Sequence, residues 1–266
     1  TVHSSTNISF NRYLRLKAIL VILIVWSGVS LVHWWPVTQG FMLVLITILT
    51  IQTLRMLIAK PVNFVVESNN YLPLVSILVP AKNESAVLTN LVESLGELDY
   101  PSHCLDFWII DDGSTDETPQ ILKEMPTKLP SLQVYRREAK GGKSGALNAV
   151  LPYTRGEIIL VCDADAQLPA DLLRQTVPLF QKKGIGAVQV RKEIANTNTN
   201  FLTRCQQMEM CCDSFLQTHR LAIGGMCELR GNGMLVKRDF LEKCQGWNEN
   251  TVTDDLDLCF KLYLVG

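Results

Sequence analysis

The spacing of apolar residues changes character near Pro73. Before it, two unbroken runs dominate: Ala18 to Trp35 and Phe41 to Leu54 carry no charged residue, and the second continues past Arg55 to Ala59. At about 1.5 Å per helical residue, each run just spans a hydrocarbon layer of roughly 30 Å. After Pro73 the pattern becomes short apolar runs alternating with segments of helical period. Strands are predicted at 74–80, 105–110, 132–135, 158–162 and 185–190. Helices are predicted at 85–98, 115–125, 144–151, 170–182 and 200–222. Strands that alternate with helices imply a parallel sheet covered on both faces, with ligands bound beyond the carboxyl ends of the strands.

The two apolar runs form a predicted transmembrane hairpin at 18–60, after an N-terminal segment at 1–17. Trp34 and Trp35 suit a membrane interface, and Arg55 lies near enough to an end to snorkel. Arg12, Arg15 and Lys17 precede the first run, and Arg55 and Lys60 close the second. The connector Pro36 to Gly40 has no Lys or Arg. The positive-inside rule then places both ends in the cytoplasm and the tip outside, giving an integral, multi-pass protein whose domain after Pro73 faces the cytoplasm. A cleaved signal peptide is the first rival, but Trp34-Trp35-Pro36 stands where a small-x-small cleavage site belongs. A buried helical hairpin in a soluble domain is the second. Residues 61–73 are expected to be a linker, and 74–266 a single domain large enough for a substantial core.

A net charge of −1 supplies no basic field for nucleic acid. The eight cysteines contain no Cys-x-x-Cys pair and the four histidines are scattered, which disfavours zinc. The thiols are expected to be free, in a reducing compartment. On the 200–222 helix, Met208, Cys211, Cys212 and Phe215 are expected to form a packed face, with lipid contact as the alternative.

Three acidic clusters carry the candidate chemistry: Asp111-Asp112-Gly113-Ser114, Asp163-Ala164-Asp165 and Thr253-Asp254-Asp255. The second follows a buried run, Glu157 to Cys162. Carboxylates at the mouth of a buried strand need a partner. Two of them one residue apart suit Mg²⁺, which takes one or two carboxylates together with substrate phosphate oxygens. A lone Asp-x-Asp is ordinarily a polar turn; three acidic ends in one α/β pattern point to an enzyme site. Asn83 and Glu84 either contact a nucleotide or cap the next helix. The run Lys140 to Asn148 lacks the first glycine of a phosphate-binding loop, since Arg137 stands there. Its turn can still offer Lys143 and backbone N–H groups to phosphate. Gly231-Asn232-Gly233 is either a simple turn or a close approach of backbone to a sugar. Thr253 is placed to cap a helix whose first turn holds Asp254, Asp255 and Asp257.

Taken in order, Pro-x-x-Asn-Glu (80–84), Asp-Asp-Gly-Ser-x-Asp (111–116), the lysine–glycine turn (143–148), Asp-x-Asp (163–165) and Thr-Asp-Asp (253–255) resemble family 2 inverting glycosyltransferases of the GT-A fold. The resemblance covers about Leu74 to Leu264. It implies a Rossmann-like, mostly parallel α/β sheet with flanking helices. It also implies that Glu84, Asp111, Asp112, Lys143 and Asp163 hold the nucleotide sugar, and that Asp163 and Asp165 serve Mg²⁺ or Mn²⁺ on the diphosphate. Asp255 becomes the catalytic base. Asp254 stands where the family usually has Glu, and Lys82 where it commonly has Tyr. Within the family, Ala187 to Arg191, Ile223 to Gly225 and Glu228 to Gly233 are most similar to cyanobacterial members that move glucose from UDP-glucose to diacylglycerol in the bilayer. The alternatives are a polysaccharide synthase, a polyprenyl-phosphate glycosyltransferase, and an inactive scaffold that only binds nucleotide sugar. Relatives continue with a Gln/Arg-x-x-Arg-Trp motif and further spans, so the catalytic domain is expected to be C-terminally incomplete.

Overall fold

The computed structural model describes residues 3–62, 64 and 71–265, with side chains from Leu16 onward. Position 63 and positions 65–70 of the expected linker lie outside the described residues. The chain separates into two units, Thr1–Ala59 and Lys60–Gly266.

The first unit holds α1 (His3–His33) and α2 (Pro36–Ile58). Helix α1 begins at His3, so the segment set apart at 1–17 is helical from that residue on. Pro36 opens α2 after an extended Trp35. Its fixed φ suits a first helical turn, and its missing N–H costs nothing there. The 23 residues of α2 span about 35 Å at the usual rise. Leu16–His33 and Pro36–Ile58 are long and apolar enough to cross a membrane, and neither window is buried within the protein. Two threonines along α2 are satisfied locally: the Thr47 and Thr53 hydroxyls donate to the carbonyls of Leu43 (2.7 Å) and Leu49 (2.8 Å).

The second unit is built on six strands: β1 (Val75–Ala81), β2 (Leu105–Asp112), β3 (Leu132–Arg137), β4 (Ile158–Val161), β5 (Ala187–Gln189) and β6 (Met234–Lys237). Their order across the sheet is β3-β2-β1-β4-β6-β5. Side chains alternate between two cores, as the period of a strand requires. Val75, Ile77, Val79, Phe107, Ile109, Ile158 and Leu160 face one. Leu78, Trp108, Ile110, Ile159 and Val161 face the other. The first core is covered by α3 (Leu88–Gly96), α4 (Thr118–Lys128) and α6 (Leu172–Thr176). The second is covered by α5 (Gly142–Val150), α8 (Arg238–Lys243) and α9 (Asp254–Val265). Each fully buried Leu, Ile or Val contributes roughly 1.5–3 kcal/mol of transfer free energy, and both faces of the sheet are committed to this burial.

The sheet is mostly parallel, with β3, β2, β1 and β4 running together and β6 antiparallel to both β4 and β5. The sequence marks Gly231–Gly233 as a turn, but the four residues after it are too few to show a period. Two other expectations need correction. The predicted helix at 170–182 breaks into α6 and a tighter turn at Val177–Gln181, because Pro178 cannot supply a helical N–H. The long helix α7 (Phe201–Ala222) does not bury Met208, Cys211, Cys212 and Phe215. Met208 and Phe215 are 63% and 46% exposed, and both cysteines are exposed. Helix α7 is instead held by polar contacts, with Asp213 taking Arg230 (2.5 Å) and Gln217 taking the Glu228 N–H (3.0 Å).

At the amino-terminal rim of the sheet, opposite the candidate site, a polar knot fixes the strands. Buried Asp106 accepts from the Ser76 hydroxyl (2.8 Å), Gln133 (3.0 Å) and the Arg155 N–H (3.0 Å). Ser76 in turn accepts from the Gly156 N–H at 2.7 Å.

Candidate active site

The strand order turns around at β1, which has β2 on one side and β4 on the other. Chain leaving the carboxyl ends of β1 and β4 therefore diverges and opens a crevice there. Glu84 follows β1, Asp111 and Asp112 end β2, and Asp163 follows β4. Antiparallel β6 brings its starting end to the same rim. Its Gly233 N–H donates to the Val161 carbonyl at 2.8 Å, which sets the Gly231–Gly233 turn beside Asp163.

The β1 and β2 ends are stitched together. Asn83, at φ 58°, accepts from the Thr115 N–H (2.8 Å), and its own N–H donates to Ser114 Oγ (2.9 Å). The Glu84 N–H donates to Thr118 Oγ1 at 2.9 Å. Both residues thus pin the acidic loop, and α3 begins only at Leu88 without a side-chain cap. A partial loss of hydration pushes the Asp116 carboxyl up, but hydrogen bonds from Thr118 and Ser85 outweigh it and hold it down at about 2. Glu84 shifts the other way. Burial raises its carboxyl, and repulsion from Asp165, Asp163 and Asp116 adds to the rise.

Asp111 and Asp112 meet the arginines directly opposite them on β3. Arg136 lies 3.3 Å from Asp111, and Arg137 lies 3.0 Å from Asp112. Arg137 also donates to the carbonyls of Lys140 and Gly145, so Asp112 braces the glycine turn that starts α5. That turn requires glycine three times. Gly141 and Gly142 sit at φ +71° and +57°, and a Cβ on Gly145 would fall 2.3 Å from the Lys140 carbonyl. Asp111 is 1% exposed, and its Oδ2 has no hydrogen bond despite the nearby arginine.

Lys143, in the first turn of α5, pairs with Asp163 and donates to the Gly231 carbonyl at 2.9 Å. On the other side of the same residue, the Gly231 N–H donates to Asp255 Oδ2 at 2.9 Å. One glycine therefore joins the lysine–aspartate pair to the third acidic cluster. The neighbouring Asn232 accepts from the Asp163 N–H at 3.2 Å, and Ser144 donates to Asp254 at 2.6 Å. Asp257 is drawn away from this centre by Lys261 at 2.8 Å, which lowers its carboxyl. Cys162, just before Asp163, is fully buried; burial pushes its thiol up to about 12, which leaves it a protonated core residue.

The arrangement suits a divalent cation. Asp163 and the exposed Asp165 offer hard oxygen donors, and Glu84 feels the field of both. Asp163 already holds a cationic side chain, Lys143. Sequence reasoning singled out Glu84, Asp111, Asp112, Lys143, Asp163, Asp165 and Asp255, and all seven lie at this rim or in the loops that form it. It missed Asn232 and Ser144 as partners of the acidic residues, it met Gln189 only within the run Ala187 to Arg191 and gave it no role, and it missed Lys192 altogether. Nothing in a three-residue strand at the edge of the sheet announces that it ends beside the centre.

A crevice at the switch point of such a sheet, with an Asp-x-Asp at its lip, belongs to a GT-A fold, and the chain belongs to glycosyl transferase family 2. The family pattern matches residues 76–244. Among curated proteins, the chain is 52% identical over 252 residues to a beta-monoglucosyldiacylglycerol synthase of Nostoc, covering 94% of this chain and 54% of that protein. It is 45% identical to the synthase of the same name from Synechocystis, covering 94% and 54% respectively. The chain thus spans about half the length of the curated relatives it matches. Among solved structures it resembles a mannosyltransferase of Pyrobaculum calidifontis in complex with GDP-Man and Mn²⁺. That match has a TM-score of 0.66 and 26% identity, over 81% of this chain and 58% of that one. The fold also matches S. aureus TarS 1–349, with a TM-score of 0.56 and 21% identity, over 72% of this chain and 55% of that one.

Proposed function

We propose that this chain is the catalytic part of a membrane-anchored inverting glucosyltransferase that moves glucose from UDP-glucose to diacylglycerol. The observation that carries the reading is Gly231, whose carbonyl takes Lys143 and whose N–H takes Asp255. It joins a donor side, Lys143 and Asp163, to an acceptor side, Asp255, within one rigid turn. The synthase names borne by the Nostoc and Synechocystis relatives support the choice of sugar and acceptor.

In this reading Glu84 and Asp111 hold the nucleotide, and Asp112 acts on it through Arg137 and the glycine turn. Asp163 and Asp165 hold Mg²⁺ or Mn²⁺, which neutralises charge on the diphosphate when bound. Lys143 leaves Asp163 for a phosphate oxygen. Asp255 takes the proton of the acceptor hydroxyl as that oxygen attacks the anomeric carbon from the face opposite the diphosphate. The bond to UDP breaks in the same displacement, so an α-linked donor gives a β-glucoside. The hairpin α1–α2 supports anchoring in a bilayer with both ends cytoplasmic, on the side where UDP-sugars and the membrane lipid meet.

The test is transfer from radiolabelled UDP-sugars to membrane lipid by the full-length protein. A β-glucosyl diacylglycerol formed only from UDP-glucose supports the reading. A polymer, a polyprenyl-linked product, or donor binding without transfer replaces it.

A further inference from the structure

Lys192 belongs to none of the sequence motifs, yet the structure carries it to the centre. Strand β5 pairs with β6 through Gln189, and the Val190 N–H continues that ladder to the Gly233 carbonyl at 2.9 Å. The Gln189 amide fixes the register. It accepts from the Arg230 N–H (2.6 Å) and donates to the carbonyls of Asn232 (2.9 Å) and Gly233 (3.2 Å). Two residues past Val190, whose N–H is bonded to the Gly233 carbonyl, the side chain of Lys192 is half-buried and lies within the electrostatic reach of Asp163, Lys143, Arg230 and Asp255.

The other charges around it are engaged. Arg230 is held by Asp213 (2.5 Å) and Glu228 (3.3 Å), and Lys143 by Asp163 and the Gly231 carbonyl. Asp255 accepts from the Gly231 N–H. Lys192 alone among the three cations has no hydrogen bond or ion pair recorded within the described residues. Burial draws its ammonium below the usual lysine range, with Asp163 opposing that shift and Lys143 and Arg230 reinforcing it. A half-buried cation without an acceptor is costly unless a ligand supplies one. A neutral sugar hydroxyl leaves the charge uncompensated, whereas an anion compensates it. With Arg230 and Lys143 engaged by carboxylates, Lys192 is the one of these three cations left to meet an anion on the Asp163 side of the crevice.

We propose that Lys192 is a second cationic contact for the diphosphate of the donor, acting with Lys143 on the leaving group. This rests on the donor-site reading given above. As the bond between the anomeric carbon and the phosphate oxygen breaks, the electron pair stays on that oxygen. A preorganised ammonium is worth most at the moment such charge develops. Lys192 therefore favours UDP over uridine and favours the transition state over bound UDP-glucose.

The experiment compares wild type, K192Q and K192R in the full-length protein with Mn²⁺. Calorimetry measures UDP and uridine binding, and steady-state kinetics measure transfer to diacylglycerol. Loss of a charge-assisted hydrogen bond corresponds to roughly tenfold or more in affinity. K192Q should weaken UDP by at least about that factor and leave uridine unchanged, while kcat falls and the KM for the lipid holds. K192R should recover most of the UDP affinity. Equal loss of UDP and uridine, or UDP binding unchanged in K192Q, overturns the proposal while leaving the donor site intact. A wild-type protein that binds no UDP overturns the donor-site reading and this inference with it.

Discussion

Asparagine at position 255 separates the two duties assigned to Asp255. The carboxylate accepts two backbone N–H groups, from Gly231 on Oδ2 (2.9 Å) and from Leu256 on Oδ1 (2.8 Å). Asparagine keeps the shape and one of the two oxygens, so at most one of these bonds is lost. The residue is only partly buried, which limits the loss to about 1 kcal/mol, or roughly fivefold. Because Gly231 also holds Lys143, that structural part of the effect spreads to donor binding. Loss of a general base is larger, ~10²–10⁴-fold, and falls on transfer alone. D255N should therefore bind UDP within about fivefold of wild type while transfer drops at least ~10²-fold. Calorimetry with UDP and a radiolabelled transfer assay on full-length protein measure the two separately. Transfer reduced by only about fivefold, or UDP affinity reduced as much as transfer, would show that Asp255 is a brace or a donor ligand and not the base. D257N is the internal control: Asp257 is paired with Lys261 at 2.8 Å, and its loss should change transfer by less than about threefold.

D163N/D165N in full-length protein should cost at least ~10² in donor turnover, the scale of removing a strong electrostatic stabiliser; full turnover of that variant in excess chelator ends the metal assignment. For topology, a cysteine at Thr38 should label from outside intact cells and one at Asn69, which lies outside the described residues, should not; the reverse pattern places the crevice away from cytoplasmic UDP-sugars. G156A should destabilise the second unit by about 1–3 kcal/mol, because its Cβ would fall 2.3 Å from the Ser76 nitrogen and 2.7 Å from the Ile158 carbonyl; a melting temperature equal to wild type refutes that packing. Asp116, held at about 2 against an ordinary 3.8, stabilises its loop fully above the ordinary value, and this contribution disappears as pH falls toward 2. D116N should therefore unfold more readily than wild type at neutral pH, with the difference closing in acid; a difference independent of pH between 5 and 2 refutes the assignment.

Local pattern alone determined much of this protein. The apolar runs at 18–35 and 41–59 announce two long helices, because length and lack of charge are properties of the segment itself. Val75 to Ala81, Leu105 to Asp112 and Ile158 to Val161 are legible as strands for the same reason, since each is buried on both faces and needs no neighbour to be recognised. The acidic residues were legible too, because Asp111, Asp163 and Asp255 stand where apolar runs end or a helix begins. What only the tertiary structure decided was their company. Strand β6 is four residues long and exists because β4 and β5 flank it, and its antiparallel course delivers Gly231 between Lys143 and Asp255. Lys192 reaches the same place through Gln189, by hydrogen bonds to residues 41–44 positions away in sequence. Helix α7 shows the same limit in reverse. Its apolar residues were legible, but the contacts of Asp213 and Gln217 decided which side faces the protein. A period states that a helix has two faces, and only the groups opposite each face decide which one is buried.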